Sequence, residues 1–234
     1  MIVGDIGSGK SSLLYAVLSE MTPDPEADPR ITINGSLAFC SQKPWIMSGT
    51  VKENILFFLP ENEEKLKRVI HYASLEDDLK ILGKGVETEI GEKGVNLSGG
   101  QKARISLARA LYSDRDIYLL DDVLSAVDVH VGKFLMEETI LGYLRKKTVI
   151  MPSHAINFAE QADNVVVMKK GEVIKEGTFS EVFETDEFQE VYNLERKKTE
   201  DKKKEEEEDE EKIINELRLV KEASKKFSED KENV

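Results

Sequence analysis

"GDIGSGKSS", residues 4–12, is the stretch on which the reading of this chain turns. Gly4, Gly9, Lys10 and Ser11 fit the spacing GxxxxGKS/T, with a third glycine, Gly7, inside it. Ile2 and Val3 ahead of it read as the end of a strand. "SSLLYAVLSEM" behind it reads as a helix with Leu13, Leu14, Val17 and Leu18 on one face. A strand, a glycine loop and a helix in that order make a cradle for polyphosphate. The glycines let backbone N–H groups turn inward, the helix start adds partial positive charge, and Lys10 brings a point charge to the outer phosphates. Gly4, Gly7, Ser8, Gly9, Lys10, Ser11 and Ser12 are therefore the candidate nucleotide contacts, with Ser11 placed to hold magnesium.

Strand and helix patterns alternate outward from this loop to about residue 195. Pro23, Pro25 and Pro29 interrupt the chain, and "ITINGSLAFCSQ" then alternates Ile31 and Ile33 with Leu37 and Phe39 across Asn34-Gly35, which predicts a hairpin. From Lys52 to about Leu82 the pattern is helical, Leu66, Val69, Ile70 and Ala73 forming one stripe. "QKARISLARALYS" is another helix. Short apolar strands follow at Ile117–Leu120, Thr148–Met151 and Val165–Met168. Strands separated by helices predict an α/β fold, a mostly parallel sheet with helices on both faces.

Composition limits the function classes. The 234 residues are 34% charged with a net charge of −13, which argues against non-specific binding to nucleic acid. Cys40 is the only cysteine, so no internal disulfide can form and a reducing, cytosolic setting is expected. The longest apolar run, Ile55–Leu59, falls far short of the ~20 residues that span a bilayer. Any role at a membrane must then pass through a partner. From Arg196 the chain becomes a charge run, expected to be a largely disordered linker over 196–234 with a possible short helix at 211–228.

Two further stretches carry chemistry. "LSGGQ", Leu97–Gln101, sets small residues directly before a helix and so makes a second anion-ready N-terminus. This second site need not face the first in its own fold, and two chains closing on each other would use both. "IYLLDD" ends an apolar strand on adjacent carboxylates, Asp121 and Asp122.

Taken in order, these stretches resemble the nucleotide-binding domain of ATP-binding cassette (ABC) transporters over about residues 1–195: "GDIGSGKSS" as Walker A, Gln42 in "AFCSQKPW" as the Q-loop, "LSGGQ" as the signature, "IYLLD" as Walker B, "SAVD" as the D-loop, and His154 as the switch histidine. "WIMSGTVKENILF" is most similar to the first nucleotide-binding domain of the C subfamily, the multidrug-resistance-associated and conductance-regulator group, where a charged linker also follows.

The resemblance implies a P-loop NTPase fold with a helical subdomain at about residues 45–115, and ATP with Mg2+ as ligands. Ser11, Gln42 and Asp121 would be the metal residues, Asp122, His154 and Gln42 the catalytic ones, and Ser98, Gly99, Gly100 and Gln101 would contact the ATP of a second nucleotide-binding domain. Partner transmembrane domains, a place at the cytoplasmic face of a membrane, and ATP hydrolysis coupled to transport are implied with it. Trp45 would lie near the docking point of the membrane domains.

Three departures from the family pattern bear on these expectations. Asp122 stands where the family carries glutamate, so it either activates water weakly or only caps the turn that follows. Pro152 and Ser153 replace the usual residues before His154. Only three residues precede Gly4, fewer than the ~5 to 6 of an average strand, and the family's earlier antiparallel strands and adenine-stacking aromatic are not in the sequence. The expectation is therefore an N-terminally truncated domain, a piece of a larger transporter or an incomplete gene model, with weakened nucleotide affinity. A soluble ABC ATPase and a regulatory module that binds ATP without hydrolysing it are the alternatives.

Overall fold

The computed structural model describes residues 1–197 except 25, 27–29, 92–95 and 195. The chain divides into two compact units, Met1–Gln189 and Glu190–Val234. The first holds every element named below. Residues 190–194, 196 and 197 are the described part of the second, and all are helical. The expected linker beyond Lys197 and the possible helix at 211–228 lie outside the described residues.

Strand β1 (Ile2–Val3) runs parallel to β7 (Val165–Lys169), on whose far side β8 (Glu172–Gly177) is antiparallel. Strand β2 (Leu37–Cys40) runs parallel to β5 (Ile117–Leu120), which in turn pairs in parallel with β6 (Thr148–Ile150). Beyond β6, Met151 and Ser153 bond to the two sides of Ile2, and Ile2 and Pro152 form a parallel bridge. The strands thus follow one order, β2-β5-β6-β1-β7-β8. Tyr118, Leu119 and Leu120 point alternately to opposite faces and all three have no exposed surface. Both faces of the sheet are therefore covered, as an uninterrupted apolar strand requires.

Helix α1 (Lys10–Val17) follows the glycine loop, and of its expected apolar face only Leu14 is fully buried. The short pair β3 (Gly49–Thr50) and β4 (Glu89–Ile90) brackets three α-helices, α2 (Val51–Leu56), α3 (Glu63–Tyr72) and α4 (Glu76–Ile81). Thr50 and Asn62 cap the first two of these through their side chains. Leu66, Val69, Ile70 and Ala73 form the buried stripe that the spacing predicts. Helix α5 (Gly99–Ser113) packs against α2, α3 and β2, burying Leu107, Leu111 and Tyr112. After β5 come α6 (Val129–Phe134) and a π-helical stretch Leu135–Tyr143. A 3-10 turn Ile156–Gln161 leads to β7, and α7 (Phe179–Phe183) follows β8.

The hairpin expected at residues 31–40 does not form. Leu37–Cys40 pairs in parallel with β5, and no strand covers Ile31 or Ile33, both of which are exposed. The cause lies at Ser36, whose N–H and hydroxyl both donate to Asp116 Oδ2, at 2.8 and 2.7 Å. That clamp delivers the chain straight from Gly35 into register with β5.

Candidate functional site

Parallel strands release their carboxyl ends at the same edge of a sheet, and here four of them do so together. The loop from Gly4 follows β1, Gln42 follows β2, Asp121 and Asp122 follow β5, and Pro152–His154 follow β6. Ile6–Ser12, Gln42, Asp121, Asp122, Pro152 and His154 line one cleft of about 400 Å³.

The glycine loop takes the shape that a polyphosphate needs. Gly4, Gly7 and Gly9 have φ of 151°, 80° and 100°, and a Cβ on Gly4 would lie 2.2 Å from the carbonyl oxygen of Met168 on β7. Gly9 precedes α1 with no side chain capping it, so the first-turn N–H groups of α1 face the cleft uncovered by a cap. Lys10 is buried and donates from Nζ to the carbonyls of Gly4 at 2.6 Å and Asp5 at 2.9 Å.

Strand β6 lies between β1 and β5, so Asp121 reaches the loop from one strand further along the sheet. The contact is direct: the Ser11 hydroxyl donates to Asp121 Oδ1 at 3.0 Å. Burial pushes the Asp121 carboxyl above the ordinary range, the Ser11 hydrogen bond lowers it, and neighbouring Asp122 raises it again.

Asp122 sits in the left-handed region at φ 50°, its N–H donating to Pro152 O at 2.9 Å. The turn after it is capped by its carbonyl, which accepts from Ser125 N at 3.1 Å and Ser125 Oγ at 2.8 Å. Its carboxylate faces the cleft side: Oδ1 accepts from His154 N at 3.2 Å and Oδ2 from Gln42 Nε2 at 3.3 Å. Pro152 and Ser153, unusual as they are, leave His154 in the cleft wall.

Ser98, Gly99, Gly100 and Gln101 are not among the residues lining this cleft. They begin α5 elsewhere on the unit, where Ser98 Oγ accepts from Gln101 N at 3.1 Å and Gln101 Oε1 from Ser98 N at 2.9 Å. Unlike α1, this helix start carries its own capping box. Ile6 and Pro152 line the cleft although sequence reasoning does not mark them as contacts. Neither side chain carries a group that binds phosphate or metal, so residue type gives no chemical signal there.

The donor set suits a hard cation: a hydroxyl at Ser11, a carboxylate at Asp121 and an amide at Gln42 are oxygen ligands of the kind magnesium takes beside phosphates and water. A loop, a basic side chain and carboxylates so arranged make this a nucleotide-binding P-loop domain. The family model described as "ABC transporter" matches residues 1–125, more than half of the chain, and the chain belongs to that family.

Curated relatives agree. "ABC transporter C family member 12" of Dictyostelium discoideum is 48% identical over 182 residues, 78% of this chain and 14% of its own length. "ATP-binding cassette sub-family C member 2" of Mus musculus is 49% identical over 185 residues, 78% of this chain and 12% of its own. "ABC transporter C family member 7" of Arabidopsis thaliana is 48% identical over 184 residues, 79% and 12%. The chain thus spans about one-eighth to one-seventh of the length of the relatives it matches. Among the described residues, no helix is long and apolar enough to cross a membrane.

Proposed function

We propose that this chain is the energy-coupling ATP-binding domain of a C-subfamily exporter or channel, the first of two such domains, working head to tail with the second at the cytoplasmic face of a membrane. The observation that carries the reading is the separation of the site into halves. One cleft gathers the phosphate loop, Gln42, Asp121, Asp122 and His154, while Ser98–Gln101 lies outside it. A second copy of the arrangement, turned about, would set each LSGGQ against the other's phosphate loop. The domain would span residues 1–195 with its helical part at about 45–115, and the charged tail would be the linker to a second membrane domain.

In this reading Lys10 exchanges the Gly4 and Asp5 carbonyls for the outer phosphates, and the open start of α1 holds them with N–H groups. Ser11, Asp121 and Gln42 hold Mg2+, which when bound neutralises phosphate charge. Asp122 orients the attacking water and takes its proton, and His154 faces the terminal phosphate. Aspartate in place of glutamate supports binding with weak hydrolysis at this chain's own loop. The same substitution supports the second reading, a regulatory module that binds ATP and never cleaves it; single-turnover hydrolysis separates the two.

The face presented to the membrane domains would be built on Trp45 and Phe57. The Arg109 guanidinium packs on both rings, 5.3 Å from the Trp45 centroid and 4.9 Å from that of Phe57. The transported substrate is set by those domains.

The test is Ser98→Arg in the chain paired with its second nucleotide-binding domain. Turnover at the partner's site should collapse while ATP binding at this chain's own loop holds. Unchanged turnover would sink the head-to-tail arrangement, and a loss confined to this chain's own binding would mean that LSGGQ acts in cis.

A further inference from the structure

Asp78 belongs to no motif and does not line the cleft, yet its carboxylate is built into the start of α5. Oδ1 accepts from Gln101 Nε2 at 3.0 Å and from Arg104 Nη2 at 3.2 Å, and Oδ2 pairs with Arg104 Nη1 at 2.8 Å. The Asp78 and Arg104 side chains are 13% and 14% exposed, so this ion pair, hydrogen-bonded through Oδ1 alone, is largely shielded from water. Arg104 goes on to donate to the carbonyls of Ser74 at 2.6 Å and Gly100 at 3.3 Å.

An ionised carboxylate only accepts hydrogen bonds. Gln101 must therefore turn its NH2 toward Asp78, which leaves Oε1 as the acceptor for the Ser98 N–H. Ser98 Oγ in turn accepts from the Gln101 N–H, so the hydroxyl hydrogen of Ser98 is what remains to donate outward. The two bonds of the box are donated by backbone N–H groups, and the acceptor on α4 adds a second hold on the Gln101 amide that keeps its Oε1 turned toward Ser98.

We propose that Asp78 is a positioning residue for the half-site that Ser98 and Gly100 offer to the partner's ATP. It fixes which way the Gln101 amide faces, and through Arg104 it fixes the Gly100 carbonyl. The inference rests on the reading that LSGGQ serves the partner domain.

Three variants test it in the full chain paired with its second nucleotide-binding domain, with partner-site kcat and KM, ATP bound at this chain's own loop, and melting temperature as readouts. Asp78→Asn removes the charge that faces Arg104 and sets an NH2 against either the Arg104 guanidinium or the Gln101 NH2, and partner-site kcat should fall by about tenfold to a hundredfold, the scale of a displacement near 1 Å. Own-loop binding should stay within about twofold, because the phosphate loop shares no hydrogen bond with Asp78. Gln101→Glu alone sets two carboxylates opposite each other and should cost a similar factor. The double variant Asp78→Asn/Gln101→Glu restores donor against acceptor and should recover most of the rate, a non-additivity that a mere fold-stabilising ion pair would not show.

Should Asp78→Asn leave turnover intact while Ser98→Arg still abolishes it, this inference falls and the head-to-tail reading stands. Should Ser98→Arg be silent too, both fall. If turnover drops only in step with melting temperature and own-loop binding, with no recovery in the double variant, Asp78 is structural and the inference is overturned.

Discussion

Gln42 and Asp122 meet at the wall of the cleft, where Gln42 Nε2 donates to Asp122 Oδ2 at 3.3 Å while Oδ1 of the same carboxylate accepts the His154 N–H at 3.2 Å. One carboxylate therefore ties together the segments that leave three parallel strands. Both bonds are at the long end of the N–H···O range, so they tether the group without gripping it. The backbone beneath is firmly held, through Pro152 on one side and Ser125 on the other.

With the backbone fixed, side-chain length decides how far the carboxylate reaches. Asp122→Glu is expected to raise single-turnover ATP cleavage at this chain's own site, by up to about a hundredfold or ~2.7 kcal/mol of barrier. Basicity hardly enters, since the two acids ordinarily titrate near about 3.9 and 4.3. The measurement needs a paired complex whose partner site is silenced. No gain with glutamate, together with a large fall for Asp122→Asn, would show that the aspartate is already a competent base.

Lys10→Ala should abolish magnesium-ATP binding. Its ammonium is held by the Gly4 and Asp5 carbonyls, both of which belong to the loop itself, so its removal also loosens the loop's own shape. Titration with a non-hydrolysable analogue checks this, with circular dichroism to show that the fold persists. Equal affinity in wild type and variant would contradict the assignment of Lys10 to phosphate.

Much of this site is legible in the sequence, because its chemistry sits in contiguous motifs at strand ends. Ile117–Leu120 is predicted to the residue: four apolar residues followed by two carboxylates leave one place to end. The hairpin at residues 31–40 is misread because its alternation is genuine while its partner is chosen by Asp116, 80 positions away. Strand order is equally hidden, since no local pattern announces that β6 lies between β1 and β5. Asp78 is invisible for the same reason: it sits in an acidic first turn, Glu76-Asp77-Asp78, where three carboxylates look alike and only the fold shows which one Gln101 and Arg104 face.

Phe58 offers a separate test on stability. It holds φ 66° and is 85% exposed, with Phe57 before it also left-handed at φ 42°. A bulky side chain in that region is strained, and packing does not compensate for it here. Phe58→Gly should therefore stabilise the isolated chain by about 0.5–1 kcal/mol, the scale of matching a residue to a positive φ. Urea unfolding measures it, and a loss of stability would mean that the ring makes more of its 5.1 Å contact with Phe57 than its exposure suggests.

Asp128 caps α6, its Oδ1 accepting from His130 N and Val131 N, both at 3.0 Å. The bond to Val131 does most to hold the Asp128 carboxyl below the usual range, burial opposes it, and the bond to His130 lowers it further. A depressed folded value means stability that is present above the unfolded pKa, near about 3.9, and lost as pH falls through the folded one. Asp128→Ala should cost about 1 kcal/mol at neutral pH, the usual worth of such a cap, with the gap to wild type closing in strong acid. A gap that persists unchanged below the folded value would assign the loss to something other than the charged cap.

Gly100 carries the sharpest geometric prediction. A Cβ built there would lie 2.7 Å from the carbonyl oxygen of Ala126, a backbone atom that cannot swing aside as a side-chain tip would. Ala126 lies in the turn that begins at Asp122, so the head of α5 and the segment leaving the cleft carboxylates touch within one chain. Alanine is otherwise the best residue for a helix, and at an indifferent position it would stabilise by up to about 1 kcal/mol. Here overpacking should outweigh that gain, at a cost of about 1–3 kcal/mol, because either α5 or the turn must retreat. The two outcomes have opposite signs, which makes the measurement decisive. Chemical unfolding of Gly100→Ala gives the stability change, and partner-site turnover in the paired complex reports whether the retreat displaces Ser98. A variant as stable as wild type with full turnover would show that the contact yields freely, and that the turn after Asp122 does not constrain the start of α5.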